Sequence, residues 1–372
     1  MNKFFCPAAF CAAVAIFGAV KENYRYLRID TLTRAKVYSL ATLDARTEYS
    51  DMFINARGEL ICAYVDGAQK IPYLLQKKGG MVSTTVIDSG WNTGRLLSLY
   101  YDNRLSSAHC VYYDAPVNAL KYADNLGSSS FNAYVVDRAE GMRYRSPQAI
   151  VETNGGIHVF FLDGKGQLWH AVNTNGMFRS RIVYRERPLS DIRLFIPEQG
   201  MRFICRTEKG ELLYLLRDER RRYKSYLLPG PAAVRRYTAF FDSRGRSHIL
   251  FTDDDRSVKY FYYAVDSTFQ IKTIVASKSV LEGMAIITER LDTPHAAITT
   301  RDEGISIFIS DPGTTSFKPR TLSMLGRARG ALSLGITYYP YISVLFYDSE
   351  FNELRLAELN LESIRAFVRE MR

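Results

Sequence analysis

The chain has 372 residues, 47% hydrophobic and 24% charged, with a formal net charge of +10 at pH 7. With 21 Phe and 25 Tyr it holds ample material for a core, which excludes a disordered or low-complexity chain. The positive balance favours an acidic partner, and five cysteines with no CxxC spacing exclude a disulfide framework and a cysteine zinc site.

The opening run MNKFFCPAAFCAAVAIFGAV carries one Lys ahead of apolar residues and ends at the charged KENYR. That is the anatomy of an export signal. Segment 1–20 is expected to be a signal peptide, or a membrane anchor at the short end of spanning length, giving a secreted or cell-envelope protein. Ala13, Ala15, Gly18 and Ala19 offer cleavage points, while Phe10 before Cys11 excludes a lipoprotein signal. Within segment 21–48, AKVYSLATLD (35–44) reads as a β-strand.

From residue 49 to 359 the chain repeats itself: an apolar run ends in an acidic turn and a second short apolar run follows. The clearest copies are HCVYYDAPVNALKYA (109–123), IHVFFLDGKGQLWHA (157–171) and SHILFTDDDRSVKYFYY (247–263). Aligned on the turn, the anchors are Asp66, Asp114, Asp163, Glu208, Asp253, Thr300 and Asp348, at steps of 48, 49, 45, 45, 47 and 48 residues. His109, His158, His248 and His295 all stand five residues before an anchor. This period matches the four-stranded blade of a β-propeller, and the β-branched and aromatic runs between Gly, Asn and Asp clusters are strand and turn chemistry. No stretch between copies carries a sustained helical period, which argues against helical repeats of similar length.

The fold expected is therefore all-β: a seven-bladed β-propeller of four-stranded antiparallel blades, forming one domain and a monomer. The last copy supplies ARGALSLGITY, YISVLFYD and ELRLAEL, and residues 35–44, which resemble the fourth-strand runs STTVIDS and NAYVVD, are expected to close its blade. The competing closure is IRAFVREM in segment 360–372, which also reads as part of a short amphipathic helix.

In a propeller, the connections between blades and the loops joining second to third strands open on one face, around the channel mouth. Two repeated features map there. One is the acidic turn, with Asp66, Asp114, Asp163, Glu208, Asp253 and Asp348; the other is an arginine at or just before the innermost strand, namely Arg95, Arg143 or Arg145, Arg193, Arg235 or Arg236, and Arg329. Guanidinium forks gathered at a concave mouth suit carboxylate, sulfate or phosphate, so an acidic glycan or cell-envelope polymer is the expected ligand. The structural alternative is that each Arg pairs with the acidic turn of its own or the next blade. Blades four and six depart most from the repeat, which points to Arg193, Glu208 and Arg235 as a unique site.

The four repeated histidines, spread around a ring, are expected to bond to backbone and hold no metal. Cys62, Cys110 and Cys205 read as small core residues, Trp169 as core with a sugar platform as the alternative, and the basic run 217–224 as a solvated hairpin. The aromatic residues occupy core positions of the repeat, which disfavours nucleic acid. No nucleophile elbow, HExxH motif or phosphate loop is present, and no cofactor is expected.

The copies YYDAPVNALKYA and FFLDGKGQLWHA resemble repeats of exported bacterial propellers in the broad sialidase-like and propeller-lectin group. The resemblance implies seven blades, or six if two fainter copies are not blades, and it implies no catalysis. DGKGQLW (163–169) departs from the SxDxGxTW box of sialidases in spacing and position, and YRSP (144–147) is similar to their early Arg motif but falls in the third blade. The first functional expectation is a non-catalytic module binding an acidic glycan or envelope polymer; the alternatives are a sialidase-like glycan-cleaving hydrolase or lyase, and a scaffold for protein partners.

Overall fold

The computed structural model describes residues 25–29, 36–43, 50–55, 57–90, 92–138, 143–195, 201–217, 222–231, 233–255, 257–263, 269–275, 281–289, 292–300, 304–310, 317–322, 328–338 and 341–362. Strands β1 (Arg25–Ile29) and β2 (Lys36–Thr42) come first. Blade one holds β3 (Ser50–Ile54), β4 (Leu60–Val65), β5 (Pro72–Lys78) and β6 (Met81–Val86). Blade two holds β7 (Arg95–Asp102), β8 (Ser107–Asp114), β9 (Ala119–Asp124) and β10 (Asn132–Asp137). Blade three holds β11 (Arg145–Val151), β12 (Ile157–Leu162), β13 (Leu168–Thr174) and β14 (Met177–Tyr184). Blade four holds β15 (Leu189–Phe195), β16 (Arg202–Thr207), β17 (Leu212–Arg217) and β18 (Tyr223–Leu227). Blade five holds β19 (Arg236–Phe241), β20 (Ser247–Thr252), β21 (Val258–Tyr263) and β22 (Phe269–Val275). Blade six holds β23 (Leu281–Thr288), β24 (Pro294–Thr300), β25 (Gly304–Ser310) and β26 (Phe317–Leu322), and β27 (Ala328–Tyr338), β28 (Tyr341–Asp348) and β29 (Glu353–Asn360) begin blade seven.

Each sheet is an antiparallel meander, and the innermost strands β3, β7, β11, β15, β19, β23 and β27 neighbour one another in turn, with β27 returning to β3. The protein is thus a seven-bladed propeller. Blade seven is completed by β2, which pairs antiparallel with β29 from Lys36 opposite Glu358 to Thr42 opposite Glu353. Strand β1 then adds a fifth strand outside β2, which the repeat pattern did not signal. The competing closure IRAFVREM and the leader 1–20 lie outside the described residues, and no helix among those described is long and apolar enough to cross a membrane.

The second strand of each blade explains why the repeat was visible. It lies between neighbours in its own sheet and under both adjacent sheets, so β4 and β20 are buried at every residue and must be apolar on both faces. Turns follow local chemistry: Asn175 and Gly176, at φ 55° and 81°, form the two-residue hairpin between β13 and β14 that the strand twist favours. Among the described residues, each junction between blades holds its own apolar cluster. Between blades three and four, for example, it contains Phe160, Leu162, Phe203 and Leu215. Cys62, Cys110 and Cys205 are buried free thiols in three such clusters.

The histidines correct one expectation. They bond to side chains, not to backbone: His109 to Tyr122 and Ser107, His158 to His170 and Glu152, and His248 to Tyr260 and Asp242. In blades two, three and five the histidine points across its sheet to a ring on the third strand; in blades three and five its other nitrogen reaches the turn after the first strand, and in blade two it reaches Ser107 on β8 itself. In blades three and five the position is thus a buried polar relay that fastens three strands. Trp169 packs as core in the junction with blade two, as expected, and His170 enters the junction with blade four.

Candidate functional site

Backbone hydrogen bonds hold the turns between second and third strands against the connections between blades. Gly94 N–H reaches Lys70 O, Leu189 N–H reaches Gly166 O and Val234 N–H reaches Gly210 O. Both repeated features, acids and arginines, thus lie on one face.

The acids are consumed by their own turns. Asp66 Oδ1 accepts the N–H groups of Ala68 and Gln69 at 2.9 Å, and Asp163 Oδ1 accepts those of Lys165 and Gln167 at 2.9 Å. Asp253 and Asp348 accept from Asp255 and Glu350 in the same way. The second oxygen takes a donor from the third strand: Trp169 Nε1 at 3.1 Å from Asp163, Lys121 Nζ at 2.5 Å from Asp114, Lys259 at Asp253 and Arg355 at Asp348. That donor, six or seven residues after the anchor, is a second repeated position that aligning the copies would have revealed. Asp163, Asp253 and Asp348, held on both oxygens, rigidify their turns, whereas Asp114 is held by Lys121 through one oxygen.

The mouth arginines divide. Arg145 donates to Gly164 O at 2.8 Å and pairs with Glu208 at 3.4 Å, and Arg235 pairs with Asp254 at 2.6 Å, so the structural alternative holds for these two. Arg143 and Arg236 are exposed near the mouth. Arg95 and Arg329 lie on innermost strands β7 and β27, and their side chains are outside the description. Glu208 pairs with Arg145 and Arg235 with Asp254, and no hydrogen bond or ion pair among the described residues links either of them to Arg193.

Arg193 is different. It projects from the fifth position of the innermost strand β15, keeps a water-accessible surface, and makes no hydrogen bond or ion pair among the described residues. Burial would pull its pKa down, but Asp191, Tyr237 and Asp51 outweigh burial and raise it, so the guanidinium stays charged. Asp51, the second residue of β3, accepts Met52 N–H at 3.0 Å and, across the blade junction, Leu99 N–H at 3.2 Å. Burial raises its pKa above the usual carboxylate range, against the opposing pull of Leu99 N–H, Arg193 and Met52 N–H. Asp191 accepts Ile192 N–H at 2.9 Å and Ser146 Oγ–H at 2.5 Å.

Three charged groups thus stand on innermost strands, and Arg193, though it feels the charge of both aspartates, makes no direct ion pair among the described residues. Beside them, β7 and β11 are bulged near their first residues, where Leu96 and Ser146 take φ of 57° and 45°. Backbone held in the left-handed region by non-glycine residues costs free energy and clusters at functional sites. Sequence reasoning singled out Arg193 but missed Asp51, Asp191 and Ser146. The available signal was a charge at the start of an innermost strand.

No protein-family model and no curated protein matches the chain. Among solved structures it is similar to AofleA from Arthrobotrys oligospora, at 12% identity over 78% of this chain and 89% of that one, with a TM-score of 0.52. It is similar to the polysaccharide lyase Uly1 at 10% identity over 86% and 91%, with a TM-score of 0.55. It is also similar to BBS1N, solved in complex with ARL6DN, at 10% identity over 92% and 98%, with a TM-score of 0.58. At such identities the shared property is the fold, and by fold the chain is a β-propeller.

Proposed function

We propose that the protein is an exported, non-catalytic recognition module that takes an acidic glycan or cell-envelope polymer at the channel-mouth face and seats one anionic group on Arg193. The observation that carries this reading is the Arg193 guanidinium, which makes no hydrogen bond or ion pair among the described residues, set against Arg145 and Arg235, which pair with Glu208 and Asp254. A fork with free N–H groups, surrounded by protein and still reached by water, recognises a carboxylate or sulfate bidentately. Asp51 and Asp191 flank it and are engaged by backbone N–H groups and Ser146, which leaves acceptor lone pairs for sugar hydroxyls. Arg143 and Arg236, exposed near the mouth, add positive potential for steering. Support from the neighbours is confined to the fold that a polysaccharide lyase shares.

One observation favours a glycan-cleaving alternative. A carboxyl whose pKa is raised beside an anion-binding arginine, as Asp51 is, has the character of a general acid. Both readings are tested by presenting the purified protein with neutral and acidic glycans at two salt concentrations and analysing products. Salt-sensitive binding of acidic glycans without turnover supports the recognition module; turnover transfers the assignment to a hydrolase or lyase, and no binding at all favours a protein scaffold.

A further inference from the structure

The outer rim of blades three and four carries a second cationic cluster. Arg181 lies opposite His170 in the pairing of β14 with β13, so both side chains share the face turned to blade four. Arg179, two residues away on the same strand, stands on that face too. From the other side, Arg217 lies opposite Tyr223 in the pairing of β17 with β18. Tyr223 turns to blade three, where its ring meets Phe160 edge-on at 6.4 Å, and Phe160 stacks on His170 at 4.3 Å. Three guanidiniums therefore flank one aromatic column from both sides of the junction.

Among the described residues no acidic side chain pairs with these three arginines. Arg179, Arg181 and Arg217 make no hydrogen bond or ion pair among the described residues, unlike Arg187, which pairs with Glu211 at 3.2 Å. The nearby acids are engaged: Glu186 accepts from Ser225 Oγ at 3.4 Å, and Glu152 lies 3.2 Å from His158 Nε2. His170 adds no charge, because burial, His158, Arg217 and Arg181 push its pKa down to about 3.

From this juxtaposition we infer that the rim between blades three and four binds the sulfate or phosphate groups of a linear polyanion, separately from the channel. Two residues along a strand place Arg179 and Arg181 about 7 Å apart at their Cα atoms, a spacing that serves successive charged groups of a chain better than one small anion. Arg217 closes on the same chain from blade four. Fork geometry makes arginine the side chain suited to tetrahedral oxyanions.

Titration calorimetry of the full chain tests the inference, with a heparin octasaccharide, a short polyphosphate and a neutral dextran oligomer as probes at low and moderate salt. The expected result is salt-sensitive binding of at least one polyanion and none of dextran. Stronger binding of the octasaccharide assigns a sulfated glycan, and stronger binding of polyphosphate assigns a phosphate chain. Arg181→Ala with Arg217→Ala should weaken binding at least tenfold. Because these two border buried groups, the exposed single change Arg179→Glu provides a variant that folds normally and should weaken binding at least threefold. The rim changes should weaken binding by the same factor in an Arg193→Ala background. Failure of both polyanions to bind, or wild-type affinity in both rim variants, would each overturn the inference. Failure at the rim alone leaves the channel reading intact.

Discussion

Ser146 Oγ donates to Asp191 Oδ1 at 2.5 Å, tying the bulged inner strand of blade three to that of blade four. The bond holds Asp191 beside Arg193 while Ser146 carries a left-handed backbone, at φ 45°. Ser146→Ala keeps the strained Cβ and loses the bond, so it should cost about 1 kcal/mol in urea unfolding. Ser146→Gly loses the same bond but relieves a comparable strain, so its stability should stay near wild type. Equal losses in the two variants would show that the backbone there is not strained.

Asp51 predicts a pH dependence. Its pKa is raised, so the folded state holds the proton more tightly than the unfolded chain, and stability falls as pH rises from about 3.8 through the folded value. That cost persists at neutral pH. Asp51→Asn removes the charge while keeping an acceptor oxygen, so it should raise Tm at pH 7 and lose the advantage near pH 3. Lower Tm at pH 7 would mean that the carboxylate's bonds to Met52 and Leu99 outweigh its desolvation.

Gly166 measures how closely successive blades approach. At φ 73° a Cβ would stand 2.5 Å from Leu189 O and 2.7 Å from Leu189 N on the next blade. Gly166→Ala should therefore cost about 3 kcal/mol or more, combining backbone strain with a collision that only blade movement relieves. Gly79, at φ 57° with open space around it, carries only the conformational term, and Gly79→Ala should cost about 1–2 kcal/mol. Chemical unfolding of the two variants side by side checks the difference.

The paired histidines make the propeller acid-sensitive well above the carboxylate range. His109, His158 and His170 are held neutral, chiefly by burial, with folded pKa values below the usual one. Their contribution is complete above about 6.5 and is lost as pH falls toward the folded values. For His170 the loss between pH 6.5 and 5 is about 2 kcal/mol. Tm should drop across this interval in wild type, and His170→Gln should flatten the slope. An unchanged slope would assign the sensitivity to other groups.

The blade count was legible because burial on both faces forces the second strand of every blade into an apolar run, and the turn after it needs an acid to cap its N–H groups. Strand β1 was not legible: in sequence, Arg25–Ile29 (RYLRI) lacks the anchor turn that marks the repeat. Histidine spacing showed that the position was structural, but not its partners, because the ring it meets stands on another strand. Arg193 was visible as one arginine of a series. What singles it out is that Glu208 and Asp254 are spent on Arg145 and Arg235, and pairing across turns leaves no trace in residue order. Asp51 and Asp191 belong to no repeated position, and only closure of the ring brings their charges to bear on Arg193.

Arg193 is proposed as the anchor for an anionic ligand in the channel. Its most direct test is the affinity of wild type, Arg193→Ala and the paired variant Arg145→Ala with Arg235→Ala for an acidic glycan that the wild type binds. The account predicts at least a tenfold loss for Arg193→Ala with little change in Tm, and near wild-type affinity for the paired variant. Wild-type affinity in Arg193→Ala together with loss in the paired variant would contradict it, and would return the site to the rim of the mouth.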